Sequence, residues 1–279
     1  MKTNFLLIIL SLSLFSNLNA QSYNDLWNDV NENLENRLPE SAETFLDKVE
    51  QKALAENNQK ELLKSYLYRF KIFNQKDENP IKTSIQFAEE NIGRLQEPEK
   101  SIFNLAIASL YENYYNSNFY KINNQQITVN GNELDMEFWD VKTLERVIDK
   151  YYENALVDVT SLQNTTSKSY HDVLAINETD TKFDYNIEPT LYDYVLHKII
   201  KHQIRESLNC TDLYQDLIDF DKKNNYNDAA IYNEIHKLKY EYETYEDYES
   251  YLNSLIKIKN ENLDNPLVTS VMALQAEAV

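Results

Sequence analysis

The sequence predicts an all-α protein made of stacked antiparallel helix hairpins. Apolar residues recur at helical spacing along nearly the whole chain of 279 residues, and short polar turns separate the periodic segments. The chain has only two glycines. A β-sandwich or barrel needs many turn residues that tolerate a positive φ, so this scarcity argues against both.

Five helices are predicted in the first part of the chain. They span about residues 23–34, 39–53, 59–74, 80–93 and 98–118. Pro39, Pro80 and Pro98 each lie where a helix begins. A proline is tolerated there because its missing N–H would have no partner within the helix in any case.

The helical pattern breaks at residues 119–137. Phe119–Ile122 and Gln126–Val129 alternate between apolar and polar residues as short strands do, and Asn130-Gly131 is a strong signal for a tight turn. We therefore predict a small β-like insertion near 119–137 that protrudes from the helical stack.

Helical periodicity returns after the insertion. It predicts helices over about residues 138–159, 170–175 and 189–208, and then long helices with short Asn/Asp-rich turns over 212–262. The organisation expected is N-terminal helix hairpins over 21–160, an irregular segment at 161–189 and C-terminal hairpins over 190–279. The pairing is similar to a tetratricopeptide-like α-solenoid with a loose period of about 34–40 residues, but without the consensus Trp, Gly and Pro positions.

The two ends carry signals of their own. Residues 1–20 read as a secretory signal peptide, with Lys2, an apolar stretch of about ten residues and Ala20 before the cleavage point. This predicts a soluble periplasmic or secreted protein with no transmembrane segment after signal removal; a retained anchor is the alternative. The last predicted helix runs to Val279 without a capping residue, which indicates either a chain that once continued or a frayed end.

Composition excludes several classes of function. The net charge is −19 and the pI is about 4.6, so a nucleic-acid groove is not expected. Two glycines cannot build a dinucleotide fingerprint or a phosphate loop. Cys210 is the only cysteine, which rules out an internal disulfide and predicts a small buried apolar residue.

No catalytic or metal site is predicted. The pairs Asp193/His197 and His202/Glu206 have i, i+4 spacing, but zinc needs three or four ligands. Residues 219–224 begin like a calcium loop and then place Lys and Asn at the wrong positions. His171-Asp172 has no nucleophile motif beside it. We expect no enzyme activity and no cofactor, although a triad assembled from distant positions stays open.

Tyrosine is the strongest anomaly of composition, with 21 residues. Five of them fall in one acidic stretch, on a helical face or on two arms of a hairpin that turns near Thr244. They are Tyr240, Tyr242, Tyr245, Tyr248 and Tyr251. One interpretation is ordinary packing, with each hydroxyl reaching water or a neighbouring helix. The other is a surface that stacks on a partner, since tyrosine is enriched at interfaces.

Several local strings resemble one family. They are Leu38-Pro39-Glu40-Ser41-Ala42, Leu110-Tyr111-Glu112-Asn113-Tyr114-Tyr115, Phe138-Trp139-Asp140 and Glu188-Pro189-Thr190-Leu191-Tyr192-Asp193-Tyr194-Val195-Leu196-His197. With the secretory start, they resemble the N-terminal helical region of the large bacterial alpha-2-macroglobulin-like envelope proteins, over roughly residues 22–275. The Pro-Thr-Leu-Tyr-Asp string followed by His is the most specific of them.

In that family the helical region precedes macroglobulin-type β domains, a bait region and often a thioester, which are implicated in protease trapping. Cys210 is followed by Thr211, so the thioester motif Cys-x-Glu-Gln is not present. The resemblance therefore implies a truncated member, a split gene or a fragment. It implies a non-catalytic interaction module that binds a protein partner or the downstream macroglobulin domains. The alternative is a free-standing secreted binder of a small molecule or glycan, which would use tyrosine and tryptophan rings.

Overall fold

The computed structural model describes residues 21–124, 136–177 and 183–277. Within them the backbone consists of helices and turns, with one isolated antiparallel bridge between Thr166 and Thr190. The prediction of an all-α helix-hairpin protein is confirmed, whereas the solenoid stays a prediction. The described residues form two compact units: unit 1 is 21–158 with 172–177, and unit 2 is 159–171 with 183–277.

Unit 1 contains seven helices of the described chain, and an eighth crosses its boundary. The seven are α1 Tyr23–Glu35, α2 Pro39–Glu56, α3 Gln59–Lys76, α4 Pro80–Asn91, α5 Glu99–Ser117, α6 Phe119–Asn123 and α7 Val141–Asn154. From α1 to α5 each helix packs on the next along the chain, and α7 packs on α5. The boundary between the units falls within the short helix α9, His171–Leu174.

Helix ends in unit 1 follow from side chains that satisfy exposed backbone groups. Ser22 and Asp25 form a capping box at α1, and the Asn58 side chain accepts the Glu61 N–H at the start of α3. Pro39 is the first residue of α2, as the sequence predicts. Asn57 ends α2 with φ 53°. Asparagine tolerates this left-handed conformation, which helps explain how the chain turns with so few glycines.

The interior of unit 1 is built from apolar stripes that meet between neighbouring helices. One cluster joins α1, α2 and α3 through residues that include Leu26, Trp27, Leu46 and Ile72. A second, aromatic cluster joins α3, α4 and α5. Its rings are Tyr66, Phe70, Phe73, Phe87 and Phe103.

In the described residues, unit 2 holds six helices apart from α9. They are α8 Val159–Gln163, α10 Leu191–Arg205, α11 Thr211–Asn224, α12 Asn227–Tyr245, α13 Tyr248–Glu261 and α14 Val268–Glu277. Each of α10 to α13 packs on the next helix along the chain, and α8 packs on α10. The last three helices share a core that includes Ile235, Tyr251, Leu255 and Val271.

The prediction of a strand at Phe119–Ile122 is wrong, because these residues form α6. The Ile122 N–H bonds the Asn118 carbonyl at 3.0 Å, and the Asn123 side chain donates to the Phe119 carbonyl. Ile122 alone of the four is buried. Local i, i+4 hydrogen bonds therefore decide the structure here. Residues 126–131, with the predicted second strand and turn, lie outside the described residues, as does the predicted signal peptide at 1–20.

Helices α7 and α10 begin later than the sequence predicts. Met136–Phe138 forms a 3₁₀ turn, and α7 starts at Val141 because Asp140 caps it by accepting the Thr143 N–H at 2.9 Å. Thr190 likewise caps α10, so Pro189 precedes the helix. Among the residues described, none of the helices has the length and apolarity needed to cross a membrane.

Candidate functional site

The predicted tyrosine surface lies at a helix hairpin of unit 2. Helix α12 ends at Tyr245, Glu246 adopts a left-handed φ of 56°, and α13 begins at Tyr248. Asp247 caps α13 by accepting the Ser250 N–H at 3.1 Å. This turn lies one to three residues beyond the predicted position at Thr244, and its backbone is fixed by the cap.

Three of the five tyrosine rings pack against other parts of unit 2. Tyr242 and Tyr251 stack with centroids 4.5 Å apart and planes at 12°, and Tyr251 is buried in the core of the hairpin. The half-buried Tyr240 donates its hydroxyl to the Leu208 carbonyl at 3.1 Å, and its ring lies against Tyr214. For these three rings, packing is the observed role.

The other two tyrosines face solvent at the turn. Tyr245 is 62% exposed and Tyr248 is 42% exposed. The four acidic residues nearest them in sequence are all exposed as well: Glu243, Glu246, Asp247 and Glu249. The hairpin thus presents two aromatic rings on a negatively charged tip, which we call the tyrosine tip. As a partner surface it stays a prediction, now limited to Tyr245 and Tyr248.

The most specific string of the family resemblance forms the start of α10. Pro189 precedes Thr190, whose backbone N–H and hydroxyl both donate to the Asp193 carboxylate, at 3.0 and 2.5 Å. Leu191 and Tyr192 are buried in unit 2, and the Tyr192 ring lies edge-on to Phe220. The string is therefore a helix cap joined to a core contact.

His197 lies one turn after Asp193 and both of its ring nitrogens are engaged. Nδ1 is 2.8 Å from a Glu188 carboxylate oxygen, and Nε2 is 2.8 Å from the Asn233 side-chain oxygen. Both partners are acceptors, so the ring is doubly protonated. Burial opposes this charge, but the Glu188 carboxylate and the Asn233 oxygen outweigh it and raise the pKa of His197.

The network continues from Asn233 to a pair of carboxyl groups. The Asn233 amide donates to Asp221 at 2.9 Å. Asp221 on α11 and Asp193 on α10 are fully buried, and their carboxyl groups interact, each with one oxygen that has no other hydrogen-bond partner among the described residues. A hydrogen bond between these oxygens requires a proton, since two carboxylates have only acceptors. Burial, together with the charge of Asp193, raises the pKa of Asp221 to about 8.

Asp221 and Asn233 are the residues of this network that the sequence analysis missed. A usable signal existed, because Asp221 continues the buried stripe of Tyr214, Leu217 and Ile218 at helical spacing. A charged residue on an apolar face indicates a buried partner. Which partner it meets depends on the packing of α10 on α11, and the sequence does not state that.

The remaining motif residues occupy structural positions in unit 1. Tyr114 is buried in α5, and the half-buried Tyr115 ring lies 5.6 Å from Phe119. Trp139 stacks on Tyr111 at 5.9 Å, and Asp140 caps α7. The other tryptophan, Trp27, is buried and donates to Glu61 at 2.6 Å. Both tryptophans therefore take part in packing.

The other candidates for chemistry are separated from one another. Asp172 binds Lys60 at 2.7 Å and Lys64 at 3.2 Å within unit 1, and His171 contacts Tyr185 within unit 2. His202 is buried while Glu206 is exposed. Cys210 is buried, which raises the pKa of its thiol. Within the described ranges, three or more potential ligands do not come together at any point as a metal site.

Comparison with known proteins gave no match to a family, to a curated protein or to a solved structure.

Proposed function

We propose that this chain is a non-catalytic helical interaction module that acts in the periplasm or outside the cell. In this proposal it corresponds to the N-terminal helical region of bacterial alpha-2-macroglobulin-like envelope proteins, as the quoted strings suggest. Its partner is a protein, either a separate one or the macroglobulin domains of that family. Protease trapping belongs to the full-length proteins of the family and is not proposed for this chain alone.

The tyrosine tip is the observation that carries the proposal. Tyr245 and Tyr248 keep their rings in solvent although the stacked pair Tyr242/Tyr251 directly behind them is packed. A rigid turn with exposed tyrosines places large contact surfaces at a low cost in conformational entropy. The surrounding acids favour a partner that offers basic side chains around an apolar contact.

The engagement of the reactive side chains supports a binding role over catalysis. Both ring nitrogens of His197 are used by Glu188 and Asn233. The Cys210 thiol is buried with a raised pKa, which disfavours the nucleophilic thiolate. These groups serve to stabilise unit 2.

Site-specific photocrosslinking in an envelope extract tests the proposal. A photoreactive phenylalanine analogue placed at position 248 should give a discrete adduct with one protein, and 0.5 M salt should reduce the adduct because the tip is acidic. The same analogue at position 120 is the control, since Tyr120 is an exposed tyrosine of unit 1, at 84% exposure. Two outcomes would contradict a specific partner at the tip: equal labelling at positions 248 and 120, or an adduct at position 248 that salt does not reduce.

A further inference from the structure

A cleft on unit 2 has the opposite charge to the chain as a whole. It has a volume of about 440 Å³ and is formed by α10, α11 and α12. Lys198, Lys201 and Arg205 of α10 line it, in a protein whose net charge is −19. Glu188 is the acid among the lining residues described, and it is hydrogen-bonded to His197. The lining therefore carries a net positive charge.

The rest of the lining is apolar and aromatic. Ile200 and Ile204 contribute from α10, and Tyr214 and Tyr232 contribute from α11 and α12. The Tyr232 ring lies between His197 and His236, with centroids 5.7 and 4.1 Å away. A cleft of this size with apolar walls and a few polar groups is typical of a small-molecule site.

His236 adds a neutral donor to the cleft. Burial, the His197 charge and Lys239 lower the pKa of His236 to about 4, so its ring is uncharged at neutral pH. A neutral imidazole retains one N–H. In the described part of the chain, neither ring nitrogen of His236 is hydrogen-bonded to another residue.

We propose that this cleft binds a small organic carboxylate whose ring packs against Tyr214 and Tyr232. The planar fork of Arg205 suits a carboxylate, Lys201 adds a second positive charge, and the His236 N–H supplies a directional hydrogen bond. Aromatic acids and sugar acids share this chemistry of a ring that bears one carboxylate. The proposal is independent of the tyrosine tip, because none of the tip residues lines the cleft.

Calorimetric titration of the full chain with matched pairs of probes tests the proposal. The probes are 2-naphthoate with its neutral isostere 2-naphthamide, and glucuronate with glucuronamide. At least one carboxylate should bind with one-to-one stoichiometry and at least about tenfold more tightly than its amide, as charge-assisted hydrogen bonds require. Whether 2-naphthoate or glucuronate binds identifies the ring type.

Two substitutions locate the binding. Lys201→Gln and Arg205→Gln remove exposed positive charges and should each weaken the bound carboxylate roughly threefold to tenfold, the range for a charge at a partly exposed site. Lys223→Gln on α11 is the matched control, since Lys223 is exposed and does not line the cleft, and it should change affinity less than about twofold.

The proposal is overturned if neither carboxylate binds, if the amides bind equally well, or if Lys223→Gln weakens binding as much as Lys201→Gln does. A Tyr248→Ser variant that carries the photoreactive analogue at position 245 separates this result from the proposed function. It should bind the carboxylate unchanged while losing the protein adduct, so each proposal can fail without the other.

Discussion

Asp193 on α10 and Asp221 on α11 form a buried pair of interacting carboxyl groups. Both side chains are fully buried. Each has one carboxyl oxygen with no other hydrogen-bond partner among the described residues, and a protonated Asp221 donating to Asp193 satisfies both. The remaining oxygens accept from Thr190 and Asn233. With one proton, the pair carries a single negative charge, and Asn233 links it to the charged Glu188–His197 pair.

The shared proton makes stability depend on pH. The unfolded Asp221 carboxyl loses its proton near its ordinary pKa of about 3.9, whereas the folded group keeps it to about pH 8. The folded state binds more protons between these values, so this group's contribution to the free energy of unfolding falls as the pH rises from about 4 to about 8.

We expect Asp221→Asn to remove this dependence. An asparagine amide can donate to Asp193 in place of the shared proton, while its oxygen still accepts from Asn233. The free energy of unfolding at pH 8.5 should rise by roughly 1–3 kcal/mol, the cost of a buried unsatisfied polar group, and should change little at pH 4. Denaturant unfolding at several pH values measures it.

Asp219→Asn is the matched control for that substitution. Asp219 lies on the same helix and loses the same charge, but it is exposed and its contact is with Gln215. It should leave the pH dependence of stability as it is in the unmodified chain. If Asp221→Asn lowers stability at pH 8.5, the carboxyl groups do not share a proton.

The features that the sequence predicts correctly are those that depend on interactions within one helix. Helical spacing and the prolines predict α1 to α5 because amphipathic stripes and first-turn prolines act within one helix. Phe119–Ile122 misleads because four residues fit either period, and hydrogen bonds to Asn118 then decide for helix. The cleft and the Asp193–Asp221 pair combine residues from α10, α11 and α12. Their assembly depends on tertiary packing, about which the spacing within one helix carries no information.

Asn233 connects the two charged halves of the network, so its loss should be costly. We expect Asn233→Leu to lower the free energy of unfolding by roughly 2–4 kcal/mol, because it leaves the His197 Nε2–H and an Asp221 oxygen buried without partners. Thermal and urea unfolding measure the change. Asn253→Leu, on the exposed face of α13, is the control and should stay within about 0.5 kcal/mol. Equal effects of the two substitutions would contradict the network.

In unit 1, Arg69 of α3 connects several charged side chains, as Asn233 does in unit 2. Its guanidinium contacts the carboxylates of Glu43, Asp47 and Glu50 on α2, and its side chain is only 11% exposed. Arg69→Met would keep most of the apolar contact but remove the cation that all three carboxylates contact, while Lys76 still binds Glu43 and Arg94 lies 3.7 Å from Glu50. We expect a loss of roughly 1–3 kcal/mol at low salt.

The control for Arg69 is Arg146→Met on α7, an exposed arginine whose loss should cost less than about 0.5 kcal/mol. Added salt should reduce the difference in free energy of unfolding between the Arg69 variant and the unmodified chain, because salt screens the repulsion among the three carboxylates. A difference that grows with salt would show that the ion pairs are not its origin.

In the hairpin of α12 and α13, the packed Tyr251 and the exposed Tyr248 lie within one helical turn of each other. Tyr251→Ala should lower the free energy of unfolding by roughly 3–5 kcal/mol, because the ring is buried in the core and stacks on Tyr242. Tyr248 begins the same helix and is 42% exposed, so we expect Tyr248→Ala to lower the free energy of unfolding by less than about 1 kcal/mol. Unfolding of the two variants, measured beside crosslinking at position 245, distinguishes the roles. Tyr251→Ala should lose stability, and Tyr248→Ala should lose the adduct. A large loss of stability in Tyr248→Ala would place that ring in the core of the hairpin and remove it from the tyrosine tip.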